Sequence, residues 1–392
     1  MTADRPLRIL HLPVDLGGHA RALAWSQRKL GADAISANLH PSPYGFEGDL
    51  SYARSLGDPF RIPMREWGRM RLMARSMLAD VIHLHFGQSL ASLRPFPLKD
   101  RAQDGLAGRL WARLARTLWL SDIALWRRMG KTVAMTFYGD DIRLVSEAIQ
   151  RNPWTHLSVS AVAGLMVDRD PLKHKLCAAL GRLGIIVFAT NPDLLATLPQ
   201  GSTFLPYGHV YASPSPTPPA FNGDVLRLLH LPTNRAVKGT DFFIAAVEQA
   251  KSEGARLELT IAEGIPNRDV PALMRANDVL LDQLRVGWYG GVAVEAMAEA
   301  RPALAWLNPA DIALLPSAFR RDIPVVSASA SSAAGRLVTL WREGPEAFAA
   351  RALASHAFTK CWHDPDQIAR QVLSAYQRGQ LGSVSTTTRQ CH

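Results

Sequence analysis

Apolar residues in the first half of the chain fall in short runs separated by stretches with helical spacing. Arg8 to Val14, Ala34 to Leu39, Val81 to Phe86, Thr132 to Phe137 and Ile185 to Thr190 are predicted strands. Between them, Ala20 to Leu30, Glu66 to Leu78, Leu106 to Met129 and Leu172 to Leu180 have the periodicity of helices. This alternation predicts a parallel sheet covered by helices, with ligands at the carboxyl ends of the strands. Gly17, His85, Asp140 and Asn191 stand at or just past such ends.

The alternation stops between Pro206 and Asp224, where Pro206, Pro214, Pro216, Pro218 and Pro219 crowd among Ser, Gly and Asn. Such proline density predicts an extended, semi-rigid connector. A second set of strands follows, at Leu226 to Leu231, Leu257 to Ile261, Val279 to Leu281, Ala303 to Leu307 and Val325 to Ser327. A chain of 392 residues is long for one core and suits two domains. The expected α/β fold is therefore two Rossmann-like, doubly wound domains facing a central cleft, which is a common place for ligands. The boundaries read as 1–205, a linker at 206–224, and 225–360. A C-terminal helix at 361–378 is expected to cross back to the first domain, and the Ser/Thr-rich tail 379–392 is expected to be disordered.

Two strand-to-helix connections carry the chemistry. After Val279 to Leu281 come Asp282, a turn containing Gly287, Tyr289, Gly290 and Gly291, and an alanine-rich helix with Glu295 in its opening turns. Glycines admit a ligand close to the backbone, and a helix N-terminus offers unpaired N–H groups and a positive dipole end. The arrangement suits a phosphate, with Glu295 accepting hydrogen bonds from sugar hydroxyls. After Leu226 to Leu231, the loop Thr233 to Asp241 holds Arg235 and Lys238 together ahead of the helix-like stretch Asp241 to Glu253. Arg grips two phosphate oxygens at once and Lys adds a point charge, so a diphosphate fits. A nucleotide sugar is the ligand these residues predict.

The order of strand, Arg–Lys–Gly loop, helix, Gly-aromatic-Gly turn and Glu295-Ala296-Met297-Ala298 resembles the C-terminal domain of retaining GT-B glycosyltransferases of the group 1, family 4-like kind. Asp15 to Gly18, Asp80 to Gly87 and Thr136 to Arg143 are similar to the N-terminal motifs of that family, so the resemblance covers most of the chain. It implies a metal-independent hexosyl- or glycosyltransferase that moves a sugar from a nucleotide-diphosphate donor to a glycan or lipid-linked acceptor, as in bacterial cell-surface polysaccharide synthesis. It implies ribose contacts for Glu295 and neutralisation of the leaving diphosphate by Arg235 and Lys238. Gly17, Gly18, Glu263, Asp282, Gly287, Tyr289, Gly290 and Gly291 are then donor-side positions, and His85 is an acceptor-side one. Of Asp140 and Asp141, one is expected to cap a helix and the other to face the acceptor hydroxyl; Asp140 is placed in the catalytic set and Asp141 on the acceptor side.

The chain departs from the family in three places. The family pattern has two glutamates flanking seven residues, and counting back from Glu295 puts Gly287 where the first should stand, with Asp282 nearby as a substitute. The strand-end histidine that family members often carry before Gly-x-Asp is Tyr138 here, read as a packing residue. Arg235 and Lys238 are also closer together than the usual pair.

Charge adds a partner. Between Arg61 and Lys131, fourteen basic residues face five acidic ones, so this stretch carries +9 of the chain's +10. A field of that kind recruits an anionic partner. In Leu106 to Met129, Leu106, Leu110, Leu114 and Leu118 fall on one side with Trp111, and Arg109, Arg113 and Arg116 on another, with Trp119 and Leu120 breaking the separation; this suits either a core-packed helix or one lying on an anionic membrane. Nucleic acid is not expected, because no zinc-ligand spacing, aromatic RNA-binding strand or lysine-rich tail is present. His83 and His85 are expected on opposite faces of their strand and so not as joint metal ligands. The chain has no Gly-x-Gly-x-x-Gly fingerprint and no nucleophile elbow, which disfavours nicotinamide and serine-hydrolase chemistry, and no cofactor beyond the donor is expected. Three cysteines without a Cys-x-x-Cys pair, no leader-like start and no ~20-residue apolar run predict a cytoplasmic protein, peripheral on the inner face of the membrane. Two alternatives stay open: a sugar-nucleotide epimerase of the same fold, and a non-catalytic nucleotide-sugar-binding or assembly protein.

Overall fold

The computed structural model describes residues 5–42, 45–55, 57–91, 109–110, 113–114, 117–159 and 169–381. Its chain contacts divide into two compact units: Met1–Ile142 with Pro171–Leu205 and Pro365–Thr386, and Arg143–Asp170 with Pro206–Asp364.

The first unit is built on seven parallel strands: β1 (Arg8–Leu12), β2 (Asp33–Asn38), β3 (Leu50–Ser51), β4 (Val81–His85), β5 (Thr132–Phe137), β6 (Ile186–Ala189) and β7 (Thr203–Phe204). Their order across the sheet is β3-β2-β1-β4-β5-β6-β7. β1 pairs on both sides, Ile9 lying opposite Ala34 of β2 and Val81 of β4, so the winding reverses there. β4 and β5 are buried along their whole length, as expected of strands covered on both faces. Leu10, Leu12, Ile82, Leu84, Val133 and Met135 form the core of one face. The other face carries Ile9, Val81, Ala134 and Phe188, covered by Leu23 and Ala24 of the helix His19–Lys29 and by Ile368, Val372 and Tyr376 of the helix Pro365–Leu381. Lys29 pairs with Asp366 between these two helices, Nζ to Oδ2 at 2.5 Å.

The second unit is a five-stranded parallel sheet of β8 (Leu226–His230), β9 (Leu257–Ile261), β10 (Val279–Gln283), β11 (Ala303–Ala305) and β12 (Val326–Ser327), in the order β12-β11-β10-β8-β9. Its winding reverses between β8 and β10, the place where such sheets hold ligands. The core joins Leu226, Leu228, Val279, Leu281 and Leu304 to Phe243, Val247 and Leu337 from its helices.

Three stretches differ from expectation. The proline-rich 206–224 has no helix or strand, yet Tyr207 and Phe221 are buried and the segment groups with the second unit; burying two rings makes it part of a core rather than a free connector. Arg143–Asp170, read as part of the first half, also groups with the second unit: Arg151 pairs with Asp311, and Asn152 Nδ2 donates to the Arg285 carbonyl at 2.8 Å. Within Leu106 to Met129, the helix Ser121–Arg128 is preceded by Leu120 in a left-handed conformation, φ 62°, which starts a separate element there. Trp111, Arg116 and residues 101–108 lie outside the described residues, as does the tail beyond 381. No described helix is long and apolar enough to cross a membrane.

Candidate functional site

In the second unit, β10 delivers Asp282 to the mouth of the helix Gly291–Ala298. The Asp282 side chain is fully enclosed, and both oxygens are in use. Oδ1 accepts from Lys238 Nζ at 2.7 Å, and Oδ2 accepts from the Gly290 N–H at 2.5 Å. Lys238 ends the short helix Arg235–Lys238, whose N-cap Asn234 accepts from the Val237 N–H at 3.1 Å. Gly239 follows at φ 76°, a left-handed turn that glycine adopts without strain. His230, at the end of β8, donates from Nδ1 to the Leu281 carbonyl and so accepts at Nε2 from Thr240, tying the two connections together. Burial lowers its pKa and keeps it neutral.

The two glycines have different neighbours. A Cβ on Gly290 would sit 3.3 Å from Lys238 Nζ and 3.4 Å from Asp282 Oδ1, while one on Gly291 would meet the His209 ring at 3.2 Å. Among the described residues, no side chain caps this helix. Four residues on, Glu295 Oε1 pairs with His209 Nε2 at 3.1 Å and its side chain is partly exposed. Lys238, Asp282, Gly290, Gly291, Glu295 and His209 therefore form one contiguous cluster: a cation, an uncapped helix start and a carboxylate one turn in. That combination can hold a phosphate beside a polyhydroxylated group.

Arg235 belongs to a neighbouring pair. Its Nε and Nη2 both reach Glu263 Oε2, at 3.0 and 2.8 Å, with both side chains about half exposed. Glu263 holds the guanidinium more basic and is itself made more acidic, but an exposed pair of this kind is easily exchanged for another anion.

Three expected donor positions have other roles. Gly287 has φ 86°, and a Cβ there would lie 3.1 Å from Asn308 Cβ and 3.3 Å from the Trp306 ring, so the space for a first glutamate is filled. Asp282 does not substitute for that glutamate, because both its oxygens are spent on Lys238 and Gly290. Tyr289 is a core residue; its hydroxyl bonds His363 Nε2 at 2.9 Å, and His363 Nδ1 donates to the Tyr207 carbonyl at 2.7 Å.

In the first unit the ends of β1, β4 and β5 converge on Tyr138. Its ring lies 5.1 Å from that of His19, which opens the helix after Gly17 and Gly18, and stacks on Phe86 at 4.2 Å. Gly18 has φ 76°, and a Cβ there would meet the Phe46 ring at 2.8 Å. Asp15 Oδ2 accepts from the Arg21 N–H at 2.9 Å. Asp141 closes the turn after β5 by accepting from the N–H groups of Tyr138 and Gly139 at 3.0 and 2.8 Å; its carboxylate is committed to the backbone rather than to an acceptor. Asp140 is half-buried in the same turn. Neither caps a helix, since the next one starts at Val145 with Leu144 as its N-cap.

His83 and His85 share one face of β4. Their rings stack at 4.5 Å with 13° between planes, because residues two apart on a strand point the same way. With His11 they bring ring nitrogens within 4.8 Å of one another. All six nitrogens have partners: His11 bonds Gln27 and His85, His85 also bonds Tyr138, and His83 bonds Tyr376 and Thr136. A metal ion would have to displace those hydrogen bonds. Burial pushes His11 down to about 4 and holds His83 and His85 well below the usual range, so the trio is neutral. Sequence reasoning reads Tyr138 as a packing residue, and His209, in a proline-rich stretch, carries no signal that singles it out.

The two doubly wound parallel sheets define the GT-B fold. Sucrose-phosphate synthase from Thermosynechococcus elongatus superposes with a TM-score of 0.60 at 14% identity, over 96% of this chain and 100% of the other. HepE from Anabaena in complex with UDP-glucose gives 0.55 at 11% identity, over 94% and 98%. The catalytic domain of starch synthase IV from Arabidopsis thaliana bound to ADP and acarbose gives 0.54 at 11%, over 96% and 100%. No family model and no curated protein matches the sequence.

Proposed function

We propose that the chain is a retaining glycosyltransferase that moves a sugar from a nucleotide-diphosphate sugar to a glycan or lipid-linked glycan acceptor in bacterial cell-surface polysaccharide synthesis. The observation that carries this is the Lys238 ammonium at the start of an uncapped helix, one turn before Glu295. In this reading the diphosphate binds the first N–H groups of Gly291–Ala298 and the Lys238 ammonium, and Glu295 takes ribose hydroxyls. Arg235 exchanges its exposed partner Glu263 for phosphate. Negative charge grows on the leaving diphosphate as the sugar departs, and a fixed cation and helix dipole stabilise it there without a metal. The acceptor hydroxyl gives its proton to the departing phosphate oxygen and attacks the same face, which retains configuration. Similarity in fold to structures holding UDP-glucose and ADP supports the donor class.

An anionic membrane on the cytoplasmic side is the proposed surface partner. The helix Arg61–Leu78 exposes Trp67 (52%), Met70 (61%) and Leu78 (64%) on one stripe, continued by Phe60 (65%) before it. Exposed Arg71 and Arg75 flank the stripe. Rings and basic groups side by side fit the interface of an anionic bilayer.

Incubating the protein with a panel of nucleotide sugars, with and without membrane lipid extract, tests the reading. Transfer to lipid supports it. Release of an isomerised sugar nucleotide supports an epimerase, and binding without product supports a non-catalytic binder.

A further inference from the structure

The helix Gly291–Ala298 carries Gly291, Glu295 and Ala298 on one face, spaced four and three apart. The proline-rich stretch lies against that face at two points. His209 meets Gly291 and Glu295 near the helix start, and the Ser213 N–H donates to the Ala298 carbonyl at 3.1 Å near its end. The same stretch is tied down on both sides of the histidine. His363 Nδ1 donates to the Tyr207 carbonyl at 2.7 Å, and its Nε2 accepts from Tyr289, the residue before Gly290. His356 Nε2 donates to the Ser213 carbonyl at 2.8 Å. The backbone that presents His209 is therefore held at residues 207 and 213.

The His209 side chain is 5% exposed and that of Glu295 21%. A carboxylate can only accept, so the proton in their 3.1 Å contact is on His209 Nε2. Oε1 of Glu295 is committed to that bond. Among the described residues its other oxygen, Oε2, has no partner. Glycine at 291 makes room for the ring, since a Cβ there would lie 3.2 Å from it. A glutamate free to turn loses rotamer freedom when it grips a ligand, whereas one already held has lost it on folding. We propose that His209 is a positioning residue that holds the Glu295 carboxylate with Oε2 open to the ribose diol of the donor nucleotide, and so sets the preference of the site for ribose over its deoxy forms. The proposal rests on the ribose role given to Glu295 above. His209 acts through Glu295 in this scheme and touches no ligand.

Calorimetry on the full-length chain tests it, with UDP, ADP, GDP and dTDP as probes, followed by the 2′,3′-dideoxy form of the tightest ribonucleotide. His209→Leu should weaken the ribonucleotide about three- to tenfold, the scale of one hydrogen bond, and leave the dideoxynucleotide unchanged. His209→Gln, whose amide keeps an N–H donor, should recover most of the loss. In His209→Leu/Glu295→Gln the effects should not add, and affinity should equal that of Glu295→Gln alone. A merely structural histidine would weaken both nucleotides alike. Equal losses for the two, additive effects in the double variant, or an unchanged ribonucleotide affinity in His209→Leu would each overturn the proposal. So would tightest binding of dTDP, which lacks the diol. If the wild-type protein binds the ribonucleotide and its dideoxy form equally, the ribose role of Glu295 fails and the proposal fails with it. If none of the four probes binds, the donor reading itself fails first.

Discussion

Replacing Asp282 with Asn removes one charge from an enclosed pair while keeping the side chain's shape. Asp282 Oδ1 and Lys238 Nζ are 2.7 Å apart, and only about a tenth of the lysine side chain is exposed. At that distance, with an effective dielectric of about 20, the attraction is about 6 kcal/mol, partly offset by desolvation of both ions. What remains on removing one partner is the cost of a largely buried, unpaired ammonium, about 3–5 kcal/mol. The amide also turns an NH2 either toward Lys238 or toward the Gly290 N–H, so one contact becomes donor against donor. The variant should lose about 3 kcal/mol in urea unfolding followed by fluorescence and circular dichroism. Lys238→Met should lose a similar amount. The double variant Lys238→Met/Asp282→Leu should recover most of it, short of the Gly290 bond, because an apolar pair is often as stable as an ionic one. A loss below about 1 kcal/mol in Asp282→Asn would mean that the pair is effectively solvated and that Lys238 is not held at the helix mouth.

Four further outcomes follow from the same structure. Glu295→Gln should weaken nucleotide binding about tenfold in calorimetry, the scale of one hydrogen bond to a charged group; unchanged affinity would remove its ribose role. Gly287→Glu, which restores the family's carboxylate, should cost about 1–3 kcal/mol from φ 86° and the Trp306–Asn308 contact, without raising turnover; a faster enzyme would show that the space opens. Buried His11 and His363, pushed down to about 4 and about 3, stay neutral when folded but take up protons near pH 6.5 when unfolded. Stability should therefore be full above about pH 6.5 and fall as pH drops toward 4, with His11 alone costing about 3 kcal/mol by pH 4; a urea midpoint that stays level between pH 7 and 5 would contradict this. Flotation with phosphatidylglycerol vesicles should weaken when Trp67 and Met70 become Ser and Arg71 and Arg75 become Gln; equal flotation would remove this helix as the anchor.

Much of the fold is visible in the chain because buried parallel strands are continuous apolar runs. Val81 to His85 and Thr132 to Phe137 stand out for that reason. The two-residue strands Leu50–Ser51 and Thr203–Phe204 are too short to show a pattern. The helix expected from Glu66 starts at Arg61, since Pro63 in its first turn needs no donor there. The break at Leu120 has no sequence mark, because leucine seldom adopts φ near 60°. Nor does any local signal tie Arg151 to Asp311, so the allegiance of 143–170 appears only in three dimensions. At the site, strand-loop-helix order was enough to bring Lys238, Gly290, Gly291 and Glu295 together. It could not show that Asp282 and Glu263 already hold the two cations, because those contacts depend on side-chain reach between loops. The two histidines of β4 were misassigned to opposite faces, although the period of two places them together.

The most direct test is a crystal structure of the protein with the nucleoside diphosphate that the panel selects. The diphosphate should lie on the first N–H groups of the helix Gly291–Ala298 within hydrogen-bond distance of Lys238 Nζ, with the ribose on Glu295. A nucleotide bound elsewhere, with Lys238 still closed on Asp282 and the helix start bare, would contradict the account.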